Sequence, residues 1–210
     1  MAPKSPTNAV SKSTEPAATK MGAQGDGRRQ RSERSRAKIV AAMFSVIRGG
    51  EMDPSAATLA EEAKVGIRTV FRHFDDVDSL YREMSAQMEA EIRPIVAKPF
   101  SATTWQGRLS EMIDRRVNVY ERIMPIKTCA GLRRFRSEYL MQDYQRFLTM
   151  EREGLASVLP SHIKSDKTLF AALEMLVGFN AWRRLRQDQQ LTAKQAEKAI
   201  RFSVEKLVAE

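Results

Sequence analysis

The chain has 210 residues, a formal net charge of +9, two histidines and a single cysteine. That length suits one or two domains with an adequate core, and one cysteine excludes an internal disulfide framework. With no metal-ligand spacing, phosphate loop or nucleophile motif, neither an enzyme nor a cofactor is expected; with no apolar run of about 18 residues and no signal-peptide region, a soluble cytoplasmic protein without a membrane partner is expected.

The charge is unevenly placed. Residues 1–38 hold nine Lys or Arg against three acids, residues 39–91 hold five against ten, and residues 92–210 hold 21 against 13. The first 30 residues are rich in Pro, Ser, Thr, Ala and Gly and read as a disordered basic tail. At its end Arg28, Arg29, Arg31, Arg34 and Arg36 gather directly before the first helix. They suit either an arm against a nucleic-acid backbone, with Arg34 and Arg36 as its contacts, or a solubilising charge run. The first helix is predicted from about Ser35 to Arg48 on the stripe Ile39, Val40, Met43, Phe44 and Ile47, with Gly49-Gly50 ending it. Asp53-Pro54 turns the chain, and Ser55 is placed to cap the next helix.

Ser55 to Phe74 reads as helix, tight turn, helix. Leu59, Ala60 and Ala63 line one face of the first segment, Val65 plugs the turn, and Val70 and Phe74 recur four apart in the second. With Val70 and Phe74 inward, Arg68, Thr69 and Arg72 fall on the opposite side and Ile67 at the edge of the core face. Arginine can bond guanine O6 and N7 together, and a threonine can touch the thymine methyl or bond a base edge, so this face suits a nucleic-acid groove. An ordinary solvated helix face is the alternative.

This stretch resembles the helix-turn-helix of the tetracycline-repressor (TetR) family of bacterial regulators. The resemblance rests on Leu59-Ala60, Ala63, Val65, Thr69-Val70-Phe71-Arg72-His73-Phe74 and the following Leu80-Tyr81. It implies a second helix in the major groove of double-stranded DNA, starting at Gly66 and reading through Ile67, Arg68, Thr69 and Phe71, with His73 near phosphate. Four positions depart from the pattern. Lys64 replaces a usual glycine, so a residue with a Cβ must take the left-handed turn, at about 1 kcal/mol. Gly66 replaces a Ser or Thr cap, Val77 stands where a phosphate-contacting lysine is common, and Phe71 replaces tyrosine.

After Asp75-Asp76, a helix carrying Leu80, Tyr81, Met84, Met88 and Ile92 is predicted to end at Pro94. From Thr104 the stripe Leu109, Met112, Ile113, Val117, Tyr120 and Met124 is predicted to stop at Pro125. A further helical stretch spans about Leu132 to Leu159, with Arg133, Arg134 and Arg136 as a solvated face. Asp166 to Leu185 is apolar on nearly every side and must be covered all round. The last helix starts at a Thr192/Gln195 capping box and carries Ala196, Ile200, Val204 and Leu207.

For the last two helices a second copy of the chain is one expected neighbour, and the resemblance implies the same four-helix pairing. The homodimer interface is therefore expected to use Leu169, Phe170, Leu173, Val177, Ile200, Val204 and Leu207. A mostly apolar effector pocket between the long helices is expected from Met112, Arg116, Tyr120, Met124, Phe147 and Trp182, each of which is otherwise plain core. Arg116 lies on the apolar side of its helix, where a cation needs Glu111, another acid, an anionic ligand or a route to the surface.

Taken together these features predict an all-α chain: a tail over 1–30, a three-helix DNA-binding domain over 31–75, and a helical-bundle regulatory and dimerisation domain over 76–210. The function expected from the resemblance is a ligand-responsive transcription regulator, a repressor by the family's common mode, binding a palindromic operator as a homodimer at the nucleoid. The other reading is a helical interaction protein of the same fold that reads no operator.

Overall fold

The computed structural model describes residues 21–209, with side chains from residue 27 onward, and every regular element among them is helical. Ten α-helices follow one another: α1 Met21–Arg48, α2 Ala56–Glu62, α3 Ile67–His73, α4 Val77–Val96, α5 Trp105–Arg133, α6 Glu138–Val158, α7 Ser161–Ser165, α8 Lys167–Val177, α9 Phe179–Arg183 and α10 Ala193–Val208. A short 3₁₀ turn, Arg134–Arg136, joins α5 to α6, and a π-turn, Arg184–Asp188, follows α9.

The N-terminal helix is longer than its apolar stripe. The tail predicted over residues 1–30 lies outside the described residues up to residue 20, but from Met21 the chain is already helical rather than disordered. Arg29 and Glu33 pair at 2.9 Å one turn apart, and the segment from Arg28 to Arg34 stays exposed. With Ile39, Val40, Met43 and Ile47 fully packed, the helix is nucleated in the core, and the arginine-rich turns before it add bonds without a new nucleus.

Those four residues, with Leu59, Ala60 and Ala63 of the second helical segment and Val70 and Phe74 of the third, form the buried centre of the first three helices. The first three helices therefore share one small core, as the sequence predicts. Fully burying each large side chain there contributes about 1.5–3 kcal/mol. Ser55 caps α2 through Thr58 N–H at 3.1 Å, and Asp76 caps α4 through Ser79 N–H at 2.6 Å. Gly50 ends α1 at φ +102, a conformation open to glycine.

Two prolines do not stop their helices. α4 runs through Pro94 to Val96, and α5 runs through Pro125 to Arg133. A proline removes one hydrogen bond from a turn, and the packing of Ile123, Ile126 and Cys129 on either side of Pro125 outweighs that loss. In the opposite sense, the segment predicted as one helix from Asp166 to Leu185 breaks at Gly178, which has φ −81 and ψ 160 and is the cap between α8 and α9.

The core continues from α4 into α5, α6 and α8 to α10, where Leu155, Leu173, Trp182 and Ala196 are fully buried. Thr192 and Gln195 form the predicted reciprocal cap of α10. No helix among the described residues is long and apolar enough to cross a membrane.

Candidate functional site

The α2–α3 turn has the backbone its sequence demands. Lys64 sits at φ 54, so the residue standing in the left-handed position does carry a Cβ there. Gly66 starts α3 with no side-chain cap. Val70 and Phe74 point inward, leaving Arg68 and Arg72 exposed and Thr69 half-buried.

Ile67 is 46% exposed and Phe71 58% exposed. Ile67 is not at the core edge, as helical angle alone suggests, because it is the first residue of a two-turn helix and the buried cluster begins only at Val70. One face of α3 thus shows two arginines flanked by an aliphatic and an aromatic side chain. Neither Arg68 nor Arg72 has a carboxylate partner among the described residues, in contrast to the neighbouring Arg36.

Two expected contacts are turned inward. Arg36 donates to Glu83 on α4 and, at 2.8 Å, to the His73 carbonyl, with its guanidinium 4.5 Å from the centre of the Phe74 ring. It ties α1 to the end of α3 and the start of α4, so its charge is committed within the fold; Arg34 remains exposed. His73 is half-buried with Nε2 lacking a partner. Burial, then Arg72 and Arg36, push its pKa below the ordinary histidine value. Burial therefore favours the neutral form of its ring.

In the body, the break at Gly178 organises a polar cluster. The last α8 carbonyl, that of Val177, accepts from Arg116 at 2.9 Å. The first α9 amide, that of Phe179, donates to the Glu151 carboxylate at 2.8 Å. Arg116 also donates to the Glu151 carbonyl, and the Tyr120 hydroxyl donates to the Glu151 side chain. Cation at a helix C-terminus and carboxylate at a helix N-terminus each suit the local dipole. Burial raises the Glu151 pKa despite these donors. Arg116 is therefore a cap for two carbonyls rather than a ligand hook, and Glu111 instead binds the Ser101-Ala102 loop.

The expected pocket does not open where it was placed. Met112, Tyr120 and Trp182 are buried core and Met124 is half-buried. Beside Arg116, Tyr120 and Trp182 there remains a crevice of about 10 Å³, at the lower limit for one water. Trp182 donates through Nε1 to Glu121 at 2.9 Å, and Arg186 of the π-turn holds the same carboxylate at 2.7 and 3.0 Å.

A cleft of about 500 Å³ lies instead between the end of α5, the start of α6 and α9. Only Phe147 of the expected lining reaches it. Its walls hold the aromatic rings of Phe135, Tyr144, Phe147 and Phe179, with Lys127, Arg134, Arg183 and one acid, Asp143. Burial works to raise the Asp143 pKa, but Lys127 at 2.8 Å and Arg146 at 2.7 Å outweigh it and hold the carboxyl below its ordinary range. Arg134 is not part of a solvated face, as the sequence suggests, but lies half-buried over the rings of Phe135 and Tyr144.

The expected dimer residues are consumed within one chain. Phe170, Leu173 and Val177 of α8 and Ile200 and Val204 of α10 are buried in the monomer, Leu169 is half-buried, and Leu207 lies at the open end of α10. What α8 and α10 leave outside is Met175, 68% exposed, and Phe202, 61% exposed.

No protein-family model matches this chain, and neither does any curated protein or solved structure.

Proposed function

We propose that this chain is a homodimeric DNA-binding transcription regulator of the tetracycline-repressor type, acting as a repressor under small-molecule control. The observation that carries the reading is the exposed face of α3, where Arg68 and Arg72 stand without carboxylate partners among the described residues, beside Ile67 and Phe71, while Val70 and Phe74 anchor the helix. A two-turn helix held at a sharp turn and showing this set fits a major groove: arginine for guanine edges, aliphatic and aromatic contacts for thymine methyls. Phosphate affinity comes from Arg34 and the other exposed arginines of α1 rather than from His73 or Arg36.

The test is fluorescence anisotropy of duplex from the gene's own upstream region against scrambled duplex, over a salt series, for wild type and for Arg68→Ala and Arg72→Ala. A base-contacting arginine accounts for about 1–3 kcal/mol of specific binding. Preference for the native duplex that disappears in either variant supports the reading. Equal binding of both duplexes, unchanged in both variants, refutes it and leaves the interaction-protein reading.

A further inference from the structure

The cleft beside Phe147 has a chemistry of its own. Its acid, Asp143, is already paired with Lys127 and Arg146. Arg134 lies 4.4 Å from the centres of both the Phe135 and Tyr144 rings, donates through one terminal nitrogen to the Gly131 carbonyl at 2.9 Å, and buries its Nε with no acceptor. Thr128 Oγ1, also in the lining, is buried without a partner. Among the described residues Arg183 has only a long contact of 3.7 Å to Asp188. Among the described residues the cleft therefore carries two guanidinium cations without a close carboxylate partner, Arg134 and Arg183, set among aromatic walls, and its volume lies in the range of small-molecule sites.

We infer that the cleft binds an amphipathic organic anion, a carboxylate or sulfonate on an aromatic or alkyl body. The anionic group accepts from Arg134, Arg183 and Thr128, and the body lies on Phe147 and Phe179. A neutral apolar ligand leaves the Arg134 and Arg183 charges without a counter-charge, and a cation meets both without an unpaired carboxylate. The walls of the cleft are also joints of the molecule. Arg133, next to Arg134, pairs with Asp53 in the α1–α2 connection, and Cys129 donates to the Met52 carbonyl at 2.9 Å. Asp143 connects through Arg146 to Glu89 of α4, at 2.7 and 2.6 Å. An anion drawn to Arg134 thus acts next to one link with the α1–α2 connection and one with α4. This regulatory half rests on the function proposed above; the binding half does not.

The probe is anilinonaphthalene sulfonate, titrated into the full chain by fluorescence and calorimetry, with neutral phenylnaphthylamine as its uncharged counterpart. Expected is one site per chain, with the sulfonate bound about tenfold or more tighter than the neutral probe, and a loss of similar size in Arg134→Gln and in Arg183→Gln. The control Arg152→Gln, outside the cleft, should bind as wild type does. Melting by circular dichroism checks that each variant is folded; if Arg134→Gln is not, Arg183→Gln decides. Equal affinity for the two probes, or sulfonate binding unchanged in the folded cleft variants, overturns the inference. The same titration with the upstream duplex present separates the two readings. Sulfonate binding as expected without any duplex preference supports the site and sinks the regulator. Duplex preference without sulfonate binding does the reverse.

Discussion

At the scale of single residues, the backbone at Lys64 and the carboxyl of Glu151 both work against their own chemistry. Lys64 holds φ 54 at the turn before α3, where an L-residue is disfavoured by roughly 1–2 kcal/mol. Lys64→Gly removes that strain but frees the unfolded chain, so a net gain of about 0.5–1 kcal/mol is expected. Urea unfolding measures it, and a loss of stability would show that the Lys64 side chain makes a compensating contact. Glu151 is an acid whose folded pKa is raised by burial above the ordinary 4.5. In the window between 4.5 and the raised value the native state binds more protons than the unfolded one, so stability falls as pH rises through it. In Glu151→Gln the amide oxygen still accepts from Tyr120 and Phe179, and that slope should vanish. Asp143 has the opposite sign: its depressed pKa gives stability that is present above 3.8 and lost as pH falls through the folded value. Subtracting the unfolding curves of variant and wild type across pH cancels Asp143 and isolates Glu151. Parallel curves would show that Glu151 does not titrate in that window.

At the scale of elements, Gly178 is the joint on which the body turns. A Cβ there would stand 3.0 Å from the Glu174 carbonyl, so the α8 backbone must yield. Gly178→Ala is expected to cost about 1–3 kcal/mol in thermal or chemical unfolding; an unchanged midpoint would show that α8 adjusts freely. This joint was not legible in the sequence, because Leu169 to Trp182 carries an unbroken apolar pattern and the caps that permit the break come from Arg116 and Glu151, far away along the chain. Pro94 and Pro125 misled in the other direction: the local rule against proline was overridden by packing on both sides. The small N-terminal core was legible because Ile39, Val40, Met43 and Ile47, and then Val70 and Phe74, recur at helical spacing within their own segments, and Ser55 and Thr192 announce their caps locally. The candidate face on α3 was partly legible. Spacing placed Arg68 and Arg72 outside, but Ile67 is exposed through its position at the helix start. The cleft was hidden because it joins Arg134, Asp143 and Phe179 from three elements, and only Phe147 stood out as a candidate.

At the scale of the whole molecule, the outer side of the α8–α10 pair is where a second copy is expected. The stripe that sequence marked for this purpose, with Leu173, Val177, Ile200 and Val204, already joins these helices within one chain. Away from that seam each helix shows one mostly exposed large apolar side chain, Met175 on α8 and Phe202 on α10. In a two-fold interface each side chain is buried twice, once per copy. At about 1.5–3 kcal/mol for each fully buried side chain, Phe202→Glu should weaken association by about 3–6 kcal/mol, before any repulsion between the added charges. Analytical ultracentrifugation should then find Phe202→Glu and Met175→Glu monomeric at concentrations where wild type is dimeric, with thermal unfolding little changed because neither side chain is in the monomer core. The same variants keep an intact α3, so single half-site contacts survive while the paired engagement of two half-sites is lost. Duplex affinity should consequently fall in step with dimerisation, and joining two half-sites in one duplex should give these variants no advantage over one half-site alone. Variants that remain dimeric would move the interface elsewhere on the body, and monomeric variants with full duplex affinity would remove dimerisation from the mechanism.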